Sequence, residues 1–464
     1  MTTTFETMGN ATVAVYKDGR GVIATDPWLV GTAYFGSWTL ERPLNDRQMK
    51  AMLGMPYLWF SHGHPDHFHT ESIDLIPKDK TLLLSESYHN DMKEYLEYVG
   101  HKVRVLKYRE WFDLGDGIRI CSMNNLNQDS ILVIETPDGL IINKNDSPFM
   151  GEFRFLCSLV KKWPREKTWL TSLCAIDADM KNFVDASGKR IPLDPAPLKK
   201  GMIYKTARYS DGLGVGHFCC SSSQHAYVRN DASWAKEYLV KWSDIQSMWI
   251  RPAVKIHQPF VTVDMATGVV TPTPFNKETD DKRTYDPTGG DDWNTKLTEE
   301  QWQEATAFFQ KYESLEDIVD FIGLTIGGER RDIRTSKRSV PKDQMRGIHF
   351  RVPAQSFLEC IKWGYFDDLL IGNFMKTELI NAQLYPEFTP NLAKYGGNAH
   401  AYTKKAVKEL KSYYMRRNIW AYIPWRLSEL MRWKILPFAR RIADVTGTKT
   451  VMKYVYRRSI GDSV

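Results

Sequence analysis

Residues 61–67 read Ser-His-Gly-His-Pro-Asp-His, so His62, His64, Asp66 and His67 place four metal-ligating side chains within six residues. Imidazole and carboxylate donors together suit zinc, iron or manganese. His62 and His64, two apart, can point the same way from an extended loop, whereas Asp66 and His67, at the mouth of a following helix, point to a neighbouring position. One loop can therefore serve two metals. A lone histidine is usually a satisfied structural residue, but packing does not account for four ligands crowded this closely. His69 and His89 are expected at the surface or behind the ligands, where outer partners orient metal-bound imidazoles.

The elements around the cluster must hold it open at one end of a sheet. Tyr57-Leu58-Trp59-Phe60 is an apolar run that stops abruptly at polar residues, as a buried strand does where it opens into a loop. Before it come the runs 11–17 and 21–29, separated by the turn signal Asp18-Gly19. After it come a helix near 70–76, a strand over 81–85 and a helix around 88–99 ending at Gly100. Strands over 102–107, 118–123, 129–136 and 140–146 follow, the last two joined by a turn at Pro137-Asp138-Gly139. This order predicts an α/β (α+β) protein with two sheets covered by helices rather than a doubly wound parallel sheet.

Residues 151–215, with KKWPREKTW and Pro192, Pro195 and Pro197, are expected to form an insertion or lid on a domain spanning 1–270. Residues 230–250 have helical spacing, with Asn230 or Asp231 as N-cap. The polar, breaker-rich stretch 271–296 reads as a linker, 297–400 as a small α+β domain, and 401–464 as a basic helical tail. No internal repeat is found.

The chain has 464 residues, 42% hydrophobic and 25% charged, which excludes a disordered or fibrous protein. No apolar run reaches a membrane-spanning length, and MTTTFETMGN lacks the features of a signal peptide. Cysteines 121, 157, 174, 219, 220 and 360 form no CxxC or CxH pair, which argues against a zinc ribbon, a redox dithiol or a Rieske cluster. A cytoplasmic protein with reduced thiols is expected. The net charge of +6 is uneven: residues 401–464 carry fifteen Lys and Arg against four Asp and Glu, leaving the first 400 acidic. Nucleic acid is therefore not an expected partner. Residues 420–441 combine Trp, Ile and Leu with Arg and Lys, a pattern that suits peripheral contact with the inner face of an anionic membrane or packing on the main domain.

The HxHxDH sequence resembles the first motif of the metallo-β-lactamase fold superfamily, over roughly residues 10–260. The resemblance implies an αββα sandwich with a smaller C-terminal α+β or helical extension. It implies a dinuclear site with His62 and His64 on one metal and Asp66 and His67 on the other, completed by a further His, a bridging Asp and a last His. Asp146, at the end of the strand LIIN, is the expected bridge. His225 in SSSQHAYVRN is the expected last ligand, with His217 and His257 as rivals. The further His is missing: residues 124–129 read Asn-Asn-Leu-Asn-Gln-Asp, so Asp129, or else Asn127, would take its place. An oxygen ligand there favours iron or manganese somewhat over zinc. Around His225, Tyr227 and Arg229 are candidates for a substrate pocket, Arg229 offering a bidentate fork for phosphate or carboxylate.

Asp26-Pro27-Trp28-Leu29-Val30-Gly31, with the aromatic residues up to Trp38, is similar to the start of the metallo-β-lactamase-like domain of CMP-N-acetylneuraminate hydroxylases. More distantly it is similar to the N-acylphosphatidylethanolamine phospholipase D group. Two functions follow as expectations. One is a metallohydrolase in which two divalent metals acidify a bridging water while Asp66 orients it and carries its proton. The other is a diiron monooxygenase, an oxidoreductase that needs a separate electron donor because no Rieske ligands are present. A small-molecule or amphiphilic substrate is expected, and RGIHFRVP and FDDLLIGNF in the C-terminal unit are placed as candidates to cover the site or recognise it.

Overall fold

The structure, a computed structural model, describes residues 2–178, 180–274, 284–431 and 435. The central strands of its two large sheets are buried on both faces, and two-residue alternation divides their side chains between separate cores. In Tyr57–Phe60, Trp59 enters a core shared with Phe5, Val15, Leu132, Ile141 and Trp169. Leu58 and Phe60 face the other way, against Met52, Ile73 and Leu96. Ser130–Thr136 repeats the pattern, with Leu132 and Ile134 in the shared core and Ile131 and Val133 turned toward Leu156, Ile203 and Leu213.

The result is a four-layer sandwich. The first sheet has eight strands, in the order Val270–Pro272, Val261–Asp264, Thr3–Met8, Thr12–Lys17, Arg20–Thr25, Tyr57–Phe60, Thr81–Ser85 and Lys102–Leu106, the last four running parallel. The second has seven: Lys255–His257, His217–Cys220, Thr168–Ser172, Gly139–Asn145, Ser130–Thr136, Ile118–Asn124 and Trp111–Gly115. Helices Asp46–Gly54, Thr70–Leu75 and Asp91–Tyr98 cover the outside of the first sheet; Phe153–Val160, Pro195–Leu213 and Trp242–Met248 cover the second.

Two local expectations are corrected, and one strand was not expected. Residues 151–215 are not a peripheral insertion or lid: Thr168–Ser172 is an interior strand of the second sheet, and Pro195–Leu213 packs on its outer face. The Trp/Lys-rich composition hides a strand whose five residues are all buried. Thr3–Met8 lies inside the first sheet although Thr and Glu make it read as polar. Its buried Glu6 accepts hydrogen bonds from Gln48 at 2.7 Å and Arg47 at 2.6 Å. The helical stretch 230–250 is broken into a 3-10 turn, Asn230–Tyr238, and a helix, Trp242–Met248, where Asp244 accepts from the Lys241 amide and restarts the chain.

Beyond residue 297 a four-stranded sheet, Glu329–Arg334, Phe321–Ile326, Gly347–Arg351 and Lys376–Ile380, carries helices Glu299–Gln310, Ala354–Trp363 and Asp367–Ile371. Its core includes Phe309, Ile322, Phe350 and Phe366, and continues without a break into Trp28, Tyr34 and Trp38 of the N-terminal sandwich. Helices Lys404–Arg417 and Ile419–Leu430 then return to the sandwich. There Tyr414 donates to Asn124 at 2.6 Å and accepts from Gln128 at 2.9 Å. Residues 275–283 of the expected linker, and most of 420–441 beyond Met431, lie outside the described residues. Among the described residues, no helix is long and apolar enough to cross a membrane.

Candidate metal centre

The HxHxDH loop leaves the end of Tyr57–Phe60 where both sheets present strand ends. Ser61 is fixed first: its amide donates to Asp26 Oδ1 at 2.7 Å, and Asp26 itself follows Arg20–Thr25 in the left-handed region at φ 43°. His64 O then accepts from the His67 and Phe68 amides, closing a turn that brings His67 back beneath His62, with ring centroids 4.3 Å apart. From the second sheet, a register shift between Asn143 and Asn145, with Asn145 at φ 50°, delivers Asp146 to the same place.

The structure brings five predicted ligands together. His62 Nε2 lies 2.9 Å from His64 Nδ1 and 3.8 Å from Asp146 Oδ2. His67 Nε2 lies 3.2 Å from Asp146 Oδ1 and 3.3 Å from Asp66 Oδ2. Outer partners hold three of them. His67 Nδ1 meets Asp26 Oδ2 at 3.0 Å, Asp66 accepts from Asn10 at 2.7 Å and from the Tyr34 hydroxyl at 2.5 Å, and His64 Nε2 meets Asp367 Oδ2 at 3.0 Å.

Asp129 is buried, with Oδ2 accepting from Asn127 at 2.8 Å, and its charge reaches His62 and His64. Asn127 thus serves as a donor to Asp129. His225 sits flat on Trp38, with ring centroids 3.5 Å apart, and its Nε2 meets Asp177 Oδ2 at 2.6 Å, leaving Nδ1 buried without a hydrogen bond. From there the contacts run through Trp38 to Tyr34 and so to Asp66. The rivals fall away: His217 begins its strand at the opposite end from Cys220 and pairs with His257 at 2.9 Å.

Tyr227 is buried and donates to Asp177 at 3.0 Å. Arg229, expected in a substrate pocket, is fully buried and its fork is already engaged, by Asp231, Asp291 and the Phe35 carbonyl. Its guanidinium stacks 3.9 Å from the Phe374 ring centroid. His69 is buried too and caps the helix Thr70–Leu75 by accepting from the Ser72 amide. His89 joins Asp91 and His400 in a separate, partly exposed group.

The electrostatics are those of a site that wants positive charge. Burial opposes charge on His64, but the hydrogen bond and charge of Asp367, with Asp368 and Asp129 beyond, push it up to about 10. Burial likewise opposes charge on His67, yet Asp146, Asp66 and Asp26 hold its proton well above the ordinary range. His62, shielded by burial and repelled by His67, is lowered. Asp66 is drawn down to about 2 against burial, chiefly by His67, and Asp146 is drawn down by the same imidazole and His62. Protons on His64 and His67 thus offset the carboxylates, a task that metal cations perform when imidazoles ligate in neutral form.

The donor atoms fit metals. His67 Nε2 and Asp146 Oδ1 are buried and face each other without an aligned hydrogen bond, and Asp367 Oδ1 and Asp368 Oδ1 are also buried and unpartnered. Buried polar atoms are rarely left so. His62, His64 and Asp146 offer ligand atoms all within 4.8 Å of one another.

Sequence reading missed Asp26, Asn10, Tyr34 and Asp367. Asp26 had a legible signal, an Asp directly after a strand and before Pro27. Asp367 lies in FDDLLIGNF, a stretch expected to cover the site, but its pairing with His64 had no signal beyond the acidic pair with Asp368, because only the fold brings residue 367 to residue 64.

No family model matches the chain. A Rieske 2Fe-2S iron-sulfur protein of Mycolicibacterium smegmatis is 31% identical over 100 residues, which is 21% of this chain; the match spans 18% of that relative's length. Among solved structures, an isothiocyanate hydrolase from Delia radicum gut bacteria aligns over 56% of this chain and 98% of its own, at 14% identity and TM-score 0.37. A metallo hydrolase from Ignicoccus hospitalis aligns over 57% and 98%, at 12% identity and TM-score 0.35. A metallo-β-lactamase fold protein from Bacillus subtilis aligns over 56% and 98%, at 10% identity and TM-score 0.33. Two mixed sheets face to face, helices outside, and the HxHxDH loop and Asp146 converging at the strand ends give this chain the αββα sandwich of the metallo-β-lactamase fold.

Proposed function

We propose that the protein is a metal-dependent hydrolase with a dinuclear centre. The observation that carries this is the convergence of His62, His64, Asp66, His67 and Asp146, with His67 Nε2 and Asp146 Oδ1 buried yet lacking aligned hydrogen bonds. His62 and His64, with Asp129 nearby, would hold one divalent ion; Asp66 and His67 would hold the other, and Asp146 lies between. Metals held there supply an acidified water and a Lewis acid for a carbonyl or phosphoryl oxygen.

The chain's own residues do the rest. Asp66 orients the attacking water and takes its proton, and the Tyr34 and Asn10 hydrogen bonds keep the carboxylate in one rotamer. Asp26 holds His67 with Nε2 turned inward. His225, with Nδ1 free of hydrogen bonds, is the reserve ligand or the group that meets substrate.

Metal content by mass spectrometry, on protein purified without chelator or added metal, tests the reading together with a panel of phosphodiester, amide and lactone substrates. About two zincs per chain and hydrolysis that disappears with metal in the double variant His64→Ala, His67→Ala are expected. Full activity in that variant would sink the proposal.

A second reading, a diiron oxygenase served by an external electron donor, is favoured by one feature. Asp129, buried beside Asn127, would be the carboxylate that replaces an imidazole at that metal, and harder oxygen donors suit iron. About two irons per chain, with O₂ consumption when a reductase is added, would select it over hydrolysis.

A further inference from the structure

The second histidine of the motif is gripped from outside the sandwich. His64 Nδ1 faces His62 Nε2 at 2.9 Å, on the side where the other ligands gather, while Nε2 meets Asp367 Oδ2 at 3.0 Å. Both side chains are largely buried, at 17% and 5% exposure. We propose that Asp367, from helix Asp367–Ile371 of the C-terminal unit, is a positioning residue of the metal centre: it holds the proton of His64 on Nε2 and so presents Nδ1 to the metal. The inference rests on the metal-centre reading above. A ligating imidazole commonly gives its outer N–H to a carboxylate, which fixes the tautomer and the ring plane. Asp26 does the same for His67 from within the sandwich.

The contact is built rather than incidental. Phe366, Leu369 and Phe374 are buried in the core that also holds Trp28, Tyr34 and Trp38. The segment that follows the helix is pinned to the sandwich: Ser37 Oγ donates to the Gly372 carbonyl at 2.6 Å, and Asn373 Nδ2 donates to the Asp177 carbonyl at 2.8 Å. Asn373 stands at φ 60°, a left-handed conformation uncommon outside glycine. A backbone anchored on both sides of the sandwich's aromatic residues leaves Asp367 little freedom to turn from His64. The C-terminal unit, on this view, is a structural part of the centre and not a separate module lying over it.

The test is Co²⁺ binding by the full chain, read as equilibrium affinity against a competing chelator and as the visible ligand-field spectrum, in Asp367→Ala, Asp367→Asn and Ser37→Ala. Wild type is expected to bind tightly. Asp367→Ala should bind about 10- to 100-fold more weakly with a shifted spectrum, the usual cost of removing such an outer partner. Asp367→Asn keeps an acceptor oxygen without the charge and should fall between. Ser37→Ala loosens the same segment without touching His64, and should keep wild-type affinity and spectrum. Unchanged binding in Asp367→Ala overturns the inference, as does an equal loss in Ser37→Ala, which would assign the effect to docking alone. A wild-type chain that binds no Co²⁺ overturns the metal-centre reading itself, and this inference with it.

Discussion

Asp26 Oδ2 and His67 Nδ1 lie 3.0 Å apart, and neither side chain has any exposed surface. The same carboxylate accepts the Ser61 amide through Oδ1, so one residue anchors both ends of the ligand loop. Asp26→Ala is expected to weaken metal binding by about 10- to 100-fold. It should also destabilise the metal-free chain by about 1–3 kcal/mol, because the Ser61 amide is left buried without an acceptor. Metal titration and denaturant melts on metal-free protein measure the two effects separately.

Tyr34→Phe removes the hydroxyl that donates to Asp66 and little else, since the ring stays packed on Trp38. Turnover is expected to fall about tenfold, with metal content unchanged, because an outer partner of a ligand is lost and no ligand is. Equal turnover in the variant would remove Tyr34 from the account of how Asp66 is held.

Arg229 separates a structural role from a substrate role. Arg229→Leu leaves Asp291, 1% exposed, without its cation, and such half-removed buried pairs typically cost about 3–5 kcal/mol. A lowered denaturation midpoint is the expected outcome. A variant of wild-type stability that fails only in substrate affinity would restore Arg229 to the binding pocket.

The pair His217 and His257 sets an acid limit on stability. Burial and Lys255 push His217 down to about 4; burial, His217 and Lys255 push His257 down to about 4. Both lie below the ordinary value near ~6.5, so the unfolded chain binds protons that the folded chain refuses. Their contribution is therefore complete above pH ~6.5 and is lost as pH falls from there through 4. The geometry agrees: His217 Nε2 donates to the Glu166 carbonyl and its Nδ1 must accept from His257, so protonation there breaks the 2.9 Å bond. His217→Gln should show a shallower fall in melting temperature between pH 6.5 and 4 than wild type.

What the chain disclosed in advance follows the range of the interactions concerned. Tyr57–Phe60 and the histidine loop are local: hydrophobic run, abrupt stop and ligand spacing fall within about a dozen residues. Gly139–Asn145 showed its strand in the same way, and Asp146 came with it. Thr168–Ser172 stayed hidden because Thr and Ser, fully buried and satisfied by neighbours, look like loop residues in isolation. Arg229 looked like an anion fork because nothing near it in sequence reveals Asp291, sixty-two positions on. The stretch that holds Asp367 was placed over the site, but its pairing with His64 was hidden for the same reason.

The bond between His64 and Asp367 joins residues 303 positions apart. A ribosome making this chain releases the whole histidine motif long before it has made the carboxylate that steadies its second member. Until then the aromatic patch of Trp28, Tyr34 and Trp38 also lacks its C-terminal cover. The nascent sandwich thus passes through a stage with a bare aromatic flank and a His64 that has not yet met its carboxylate partner.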